Sequence, residues 1–180
     1  MANDSWSTPN EIYEALNQEF GFCADMAASD ENHKHSIYWT ENDTPNSLEM
    51  DWADSLEYIE SKGSKYVWCN PPYSAILPWV AKAIEAQQNG LGVVMLVMCD
   101  PSVAWFALAQ EYATETRFIT KGRLAFLENG KPKSGNNKGS VIFVFGPKMA
   151  GLGKVTFVER DKLIAKGKTA IFQSTIKRAA

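Results

Sequence analysis

The chain has 180 residues, 45% of them hydrophobic and 22% charged. That suits one globular domain with a good core and is too short for two full ones. Three scattered cysteines without a Cys-x-x-Cys pair, and only two histidines (His33 and His35), exclude a disulfide framework and argue against a metal site. The start, Met1-Ala2-Asn3-Asp4-Ser5, has no basic-then-apolar segment, and the longest apolar run, Leu91 to Cys99, is far short of a membrane span. The expected compartment is therefore the reducing cytoplasm, with no membrane partner.

The net charge of −3 hides a strong polarity. Residues 1–116 hold 4 Lys/Arg and 18 Asp/Glu, whereas residues 117–180 hold 14 Lys/Arg and 3 Asp/Glu. A basic half can face a polyanion while the rest of the surface stays acidic. The competing readings are a solvated basic tail and internal pairing of the two halves.

In chain order, Thr8-Pro9-Asn10-Glu11 reads as a capping box: Thr8 at the N-cap, Pro9 at the first helical position and Glu11 two residues later. Ile12, Leu16 and Phe20 continue as one apolar stripe, and Gly21 stops the helix. A strand is predicted over Phe22–Met26, followed by the small residues Ala27-Ala28-Ser29. Residues 30–64 are polar, with short strands expected at Ser36–Trp39 and Leu48–Trp52. Tyr66-Val67-Trp68-Cys69 is a buried strand that runs into Asn70-Pro71-Pro72-Tyr73.

A helix is expected from Pro78 to about Asn89, with Gly90 as its stop. Leu91 to Met98 is the continuous apolar run of a strand buried on both faces. Asp100-Pro101 caps a further helix from Ser102 to about Ala113, and a strand follows at Arg117–Ile119. Trp79 and Trp105 read as core. Two strand-like runs, Arg123–Leu127 and Ser140–Phe145, bracket an insert over 128–139 that is too long for a tight hairpin turn. Val155–Val158 reads as an edge strand, and the segment from Arg160 as a basic, weakly patterned tail. The alternation predicts an α/β fold, a mostly parallel sheet flanked by helices with an antiparallel addition at one edge. This is one domain over residues 1–160 with a basic C-terminal tail over 161–180.

The chemistry concentrates at Asn70-Pro71-Pro72-Tyr73. In open α/β sheets, ligand sites lie beyond the C-terminal ends of strands. Two prolines fix two φ angles and remove two donors, and they keep Asn70 out of the helical region. The loop is stiff. Asn70 Oδ1 and the Pro71 carbonyl can accept both protons of one exocyclic amino group while Tyr73 stacks on the ring that carries it. An amino group held this way becomes more tetrahedral and more nucleophilic, which suits methyl transfer to a planar amine. A rigid strand-to-loop corner without chemistry is the bland alternative.

The order Trp6-Ser7-Thr8-Pro9, Glu19-Phe20-Gly21-Phe22, Asp25-x-Ala27-Ala28-Ser29, Asp51-Trp52 and Asn70-Pro71-Pro72-Tyr73 resembles the small Dam-like DNA N6-adenine methyltransferases of phages and prophages. The resemblance covers about Trp6 to Phe145. It implies a Rossmann-like methyltransferase fold, S-adenosyl-L-methionine as cofactor and double-stranded DNA as partner. By the same resemblance Thr8 and Pro9 match an element that contacts the methionine end of the cofactor. Asp25 matches the carboxylate near its amino group, with Ala27 allowing close approach. Asp51 matches the acid that accepts from its adenine, with Trp52 as a stacking wall. Asn70, Pro71, Pro72 and Tyr73 carry the target base. The loop after Asp25 departs from larger relatives in having no glycine. Bland roles compete: a helix cap for Thr8, a strand-end acid for Asp25 and a turn cap for Asp51.

Arg123, Lys131, Lys133 and Lys138 are the candidate phosphate contacts, within or beside the 128–139 insert. The expected reaction is methylation of adenine N6 in DNA, with the base flipped out of the stack. GATC is a recognition sequence the resemblance allows. A monomer or a weak dimer would serve. The alternatives are an amino-methyltransferase acting on RNA or on a protein glutamine, and a non-catalytic nucleic-acid-binding protein with a decayed methyltransferase fold.

Overall fold

The computed structural model describes residues 6–60, 63, 65–133, 137–147 and 153–179. Residues 134–136 of the lysine-rich insert, and the first five residues, lie outside that set.

The first helix, α1 (Asn10–Phe20), buries Ile12, Tyr13, Ala15 and Leu16 on one face. It ends at Gly21, whose φ of 63° gives the left-handed turn and whose N–H donates to the Asn17 carbonyl. The capping box is not formed. Pro9 is the N-cap and no side chain caps the helix; the Thr8 hydroxyl is engaged elsewhere. The strand β1 (Phe22–Asp25) follows. The segment expected as a strand at 36–39 contributes one parallel bridge, Tyr38 beside Asp25. The strand expected at 48–52 is absent; a turn leads into the short helix α2 (Trp52–Ser55), capped by Asp51.

The strand β2 (Tyr66–Cys69) leads into the proline loop and then α3 (Ile76–Gln88). Then come β3 (Gly92–Met98), α4 (Ala104–Tyr112) and β4 (Glu115–Thr120). One predicted strand changes. Residues 123–126 are not strand; instead β5 (Leu127–Glu128) and β6 (Lys131–Pro132) form a two-residue hairpin. Its turn, Asn129-Gly130, has φ of 51° and 73°, the left-handed pair that an Asn-Gly hairpin turn needs. The tight turn thus sits inside the insert that looked too long for one.

The strands β7 (Ser140–Phe145) and β8 (Lys154–Glu159) complete a six-stranded sheet of order β1-β2-β3-β7-β4-β8. β7 runs antiparallel to both neighbours, and every other pairing in this sheet is parallel. The antiparallel hairpin β5–β6 forms its own two-stranded sheet. The antiparallel strand of the main sheet is internal, and the parallel β8 holds the edge. All six β7 residues are buried, as a strand covered on both faces requires.

The segment read as a tail is a 20-residue helix, α5 (Arg160–Ala179). It packs against α1 so closely that a Cβ on Gly167 would sit 1.7 Å from the Glu11 carbonyl oxygen. Two apolar layers flank the sheet. One joins α2, α3 and α4 to the sheet through Trp52, Val80 and Phe106. The other joins α1 and α5 through Leu16, Trp68 and Leu163.

Candidate active site

The parallel strands β1, β2 and β3 point their C-terminal ends the same way, and a cavity of about 1130 Å³ opens where β1 and β2 end. Asp25 ends β1, and Asn70 follows the last residue of β2. The chain order delivers both to one rim because parallel neighbours end together. Thr8, Asp25, Ala27, Asn70, Pro71, Pro72 and Tyr73 all line the cavity.

The Asn70 amide is divided between two tasks. Its Nδ2 donates to Thr8 Oγ1 at 2.9 Å, and its Oδ1 is buried with no hydrogen-bond partner. An orphaned buried acceptor costs about 1–3 kcal/mol, so a site that keeps one invites a donor from a ligand. Tyr73 packs edge-on against Phe126, with ring centroids 6.0 Å apart. Burial raises its phenol far above the ordinary value, so it stays neutral.

Asp25 is 2% exposed. Its Oδ1 accepts from the Ala27 N–H at 3.2 Å and its Oδ2 from the Lys34 N–H at 3.0 Å. The carboxylate thereby ties together the two ends of the loop from Ala27 to Lys34. Burial pushes its pKa up to about 6, against the pull of those two N–H groups and of nearby Lys34 and His33. Desolvation is the larger effect and wins.

Three expected cofactor contacts fall elsewhere. Pro9 starts α1 and is not part of the cavity lining. Asp51 caps α2, accepting from the Ala53 and Asp54 N–H groups, and also accepts from Asn89 Nδ2 at 2.8 Å. Trp52 is 1% exposed in the core and donates its indole N–H to the Ser47 carbonyl at 2.6 Å. Ser47, Leu48 and Trp79 line the cavity instead. Among the lining residues the Ser47 and Tyr73 hydroxyls are, like Asn70 Oδ1, buried without a partner. Nothing local in the sequence marks Ser47; its position depends on the anchor to Trp52 five residues on.

None of the four candidate DNA-contact residues lines the cavity. Lys131 and Lys133 lie on or next to the hairpin whose turn, Asn129-Gly130, does line it. Lys133 pairs with Glu128 at 2.5 Å. Lys138 pairs with Asp100. Arg123 is exposed, and its carbonyl accepts from Arg160 at 3.5 Å. The signal for the hairpin was the Asn-Gly pair itself.

A Rossmann-like sheet with one internal antiparallel strand carries the Asn-Pro-Pro-Tyr loop at its C-terminal rim. Comparison with known proteins identifies the family. The profile of the family described as DNA N-6-adenine-methyltransferase (Dam) matches residues 1–170. A DNA N-6-adenine-methyltransferase of Escherichia phage T1 is 36% identical over 158 residues, covering 78% of this chain and 62% of that protein. Another, of Haemophilus phage HP1, is 32% identical over 170 residues, covering 91% of each. The chain belongs to the DNA N-6-adenine-methyltransferase (Dam) family.

Proposed function

We propose that this chain methylates adenine N6 in double-stranded DNA with S-adenosyl-L-methionine as donor. The observation that carries the reading is the buried, unpartnered Asn70 Oδ1 at the rim of a cavity large enough for a nucleoside cofactor and an extruded base.

The residues present suit such a donor. The Asp25 carboxylate offers charge to a cationic amino group, and the partnerless Ser47 Oγ and the Trp79 ring, both in the cavity lining, offer a hydrogen bond and an aromatic wall to a nucleobase. Bound there, the cofactor supplies an electrophilic methyl group on a sulfonium sulfur. The protein's own work is positioning. Asn70 Oδ1 and the Pro71 carbonyl accept the two N6 protons of adenine, drawing electron density onto the nitrogen. As N6 gains positive charge in the transition state, these acceptors strengthen their hold, which is preorganised polar stabilisation. Pro71 and Pro72 keep the acceptors still. Tyr73 and Phe126 shield the flipped base and replace stacking worth about 1–3 kcal/mol. After attack the nitrogen is strongly acidic, and its proton can leave to water without a strong base.

Lys131 on the hairpin and the remaining unpaired cations of the basic half would hold the phosphate backbone. The test is transfer of labelled methyl from S-adenosyl-L-methionine to unmethylated DNA, followed by digestion to nucleosides. Label in N6-methyladenosine that disappears with Asn70→Ala supports the assignment. Label in another nucleoside, or on RNA or protein alone, refutes the substrate. Failure to bind the cofactor refutes the enzyme.

A further inference from the structure

We propose that Thr8 is a positioning residue for Asn70. Its hydroxyl takes the proton-bearing end of the Asn70 amide and so frees the carbonyl end for the target amino group. This rests on the function proposed above. It also replaces the two roles the sequence suggested for Thr8, a helix cap and a contact to the cofactor.

The two ends of an asparagine amide have nearly the same shape and opposite hydrogen-bond character. Only one orientation can serve a target amino group, the one with Oδ1 facing it; the reversed amide would set donor against donor. Pro71 and Pro72 fix the backbone of the loop but leave the last side-chain torsion of Asn70 free. In the productive orientation the Nδ2 hydrogens point back into the protein, away from water, and need an acceptor. Thr8 Oγ1 is that acceptor at 2.9 Å. It is well placed for the task because Thr8 is 1% exposed, so no solvent competes.

Thr8 is itself held. The residue before it, Ser7, exchanges two backbone hydrogen bonds with Leu127, both 2.8 Å. The residue after it is Pro9, which restricts the Thr8 backbone to extended conformations. A residue fixed on both sides, buried, and aimed at a side chain 62 positions away is an anchor for that side chain. The expected helix cap is not formed: Pro9 is the N-cap of α1 and no side chain caps it.

The test compares Thr8→Val, which keeps the shape and removes the hydroxyl, with Thr8→Ser, which keeps the hydroxyl. Methyl transfer to unmethylated DNA is measured at saturating cofactor, cofactor affinity by calorimetry, and the Asn70 side-chain amide by nitrogen-15 NMR. Expected for Thr8→Val is a fall in kcat of about tenfold or more, the usual size for a buried amide left without its acceptor. Its cofactor Kd should stay within about twofold of wild type, and the Asn70 side-chain resonances should move. Thr8→Ser should keep kcat within about threefold, since a hydroxyl is all the role requires.

A Thr8→Val enzyme with unchanged kcat overturns the proposal. So does a loss confined to cofactor affinity and recovered at saturation, which would return Thr8 to the cofactor. Should Thr8→Val not fold, Thr8→Ala carries the same comparison. A wild-type protein that transfers no methyl to DNA overturns the proposed function instead; the Asn70 amide resonance reads the Thr8 contact without turnover.

Discussion

Asn70→Ala separates catalysis from stability, and the structure sets the size of each effect. Removing the amide deletes a buried acceptor that has no partner in the folded protein, relieving a cost of about 1–3 kcal/mol. It also leaves the buried Thr8 Oγ1 without its hydrogen bond from Asn70 Nδ2, a cost of about 1–3 kcal/mol. The two offset each other. The net change in stability should lie within about 1 kcal/mol, equivalent to a Tm change of no more than about 2–4 °C in a chain of this size. Catalysis has no such offset. In the proposed mechanism the lost acceptor acts where charge develops, and removing one preorganised group of that kind should lower kcat by about 10²–10³. The assays are differential scanning calorimetry and steady-state methyl transfer to DNA, with cofactor affinity as the control. A large drop in Tm would show that Asn70 is structural and its orphaned oxygen incidental. A kcat within about tenfold of wild type would remove Asn70 from the chemistry.

Three further outcomes are expected. Asp25 has its pKa raised from 3.8 to about 6 in the folded state, so folding binds its proton more tightly than the unfolded chain does. Its destabilising contribution is therefore complete above about pH 6 and is relieved as pH falls through 6 toward 3.8. Cofactor affinity should move the opposite way, flat near neutrality and weakening below about pH 6 with a slope approaching tenfold per unit; calorimetric titration across pH 5–7 reads it, and Asp25→Asn should flatten the profile. Gly167→Ala places a Cβ 1.7 Å from the Glu11 carbonyl oxygen, so α5 must shift from α1 at a cost of about 1–3 kcal/mol or more, read as a lowered Tm. Lys131→Ala should reduce the salt slope of DNA binding by about one ion, while Lys138→Ala, already paired with Asp100, should change it less; filter binding or anisotropy against salt concentration distinguishes them.

The parts of this molecule that were legible in the sequence are those whose signals are local. The α1 stripe of Ile12 and Leu16, the apolar runs of β2, β3 and β7, and the proline loop beside Asn70 all declare themselves within a few residues. So does the charge split. What was not legible depends on partners far along the chain. Thr8 carries every mark of a helix cap, yet a side chain 62 residues away takes its hydroxyl. Asp51 and Trp52 look like site residues in order along the chain; in space, Asp51 is spent on α2 and Asn89 and Trp52 on the core. The insertion of β7 between β3 and β4 is a choice of neighbours, which an apolar run six residues long does not specify. The helix α5 was hidden because its buried face is sparse, Leu163 and Gly167 alone among its described residues, where a stripe of large ones would have shown.

Charge completes the account of how the two halves of the chain meet. Four cations of the basic half, Arg117, Lys138, Lys154 and Lys166, pair with Glu19, Asp100 or Glu115 of the acidic half. Internal pairing therefore accounts for part of the polarity, and it stitches β4, β8 and α5 to the body of the fold. Among the described residues Lys131, Lys168, Lys177 and Arg178 are exposed and take part in none of the ion pairs. One stands on the β5–β6 hairpin and three on α5. Surface ion pairs contribute little to stability, about 0–1 kcal/mol each. Cations outside ion pairs gather phosphate more effectively than paired ones. Part of the asymmetry is therefore spent on internal pairing, and these four side chains are what it leaves for the polyanion contact proposed above.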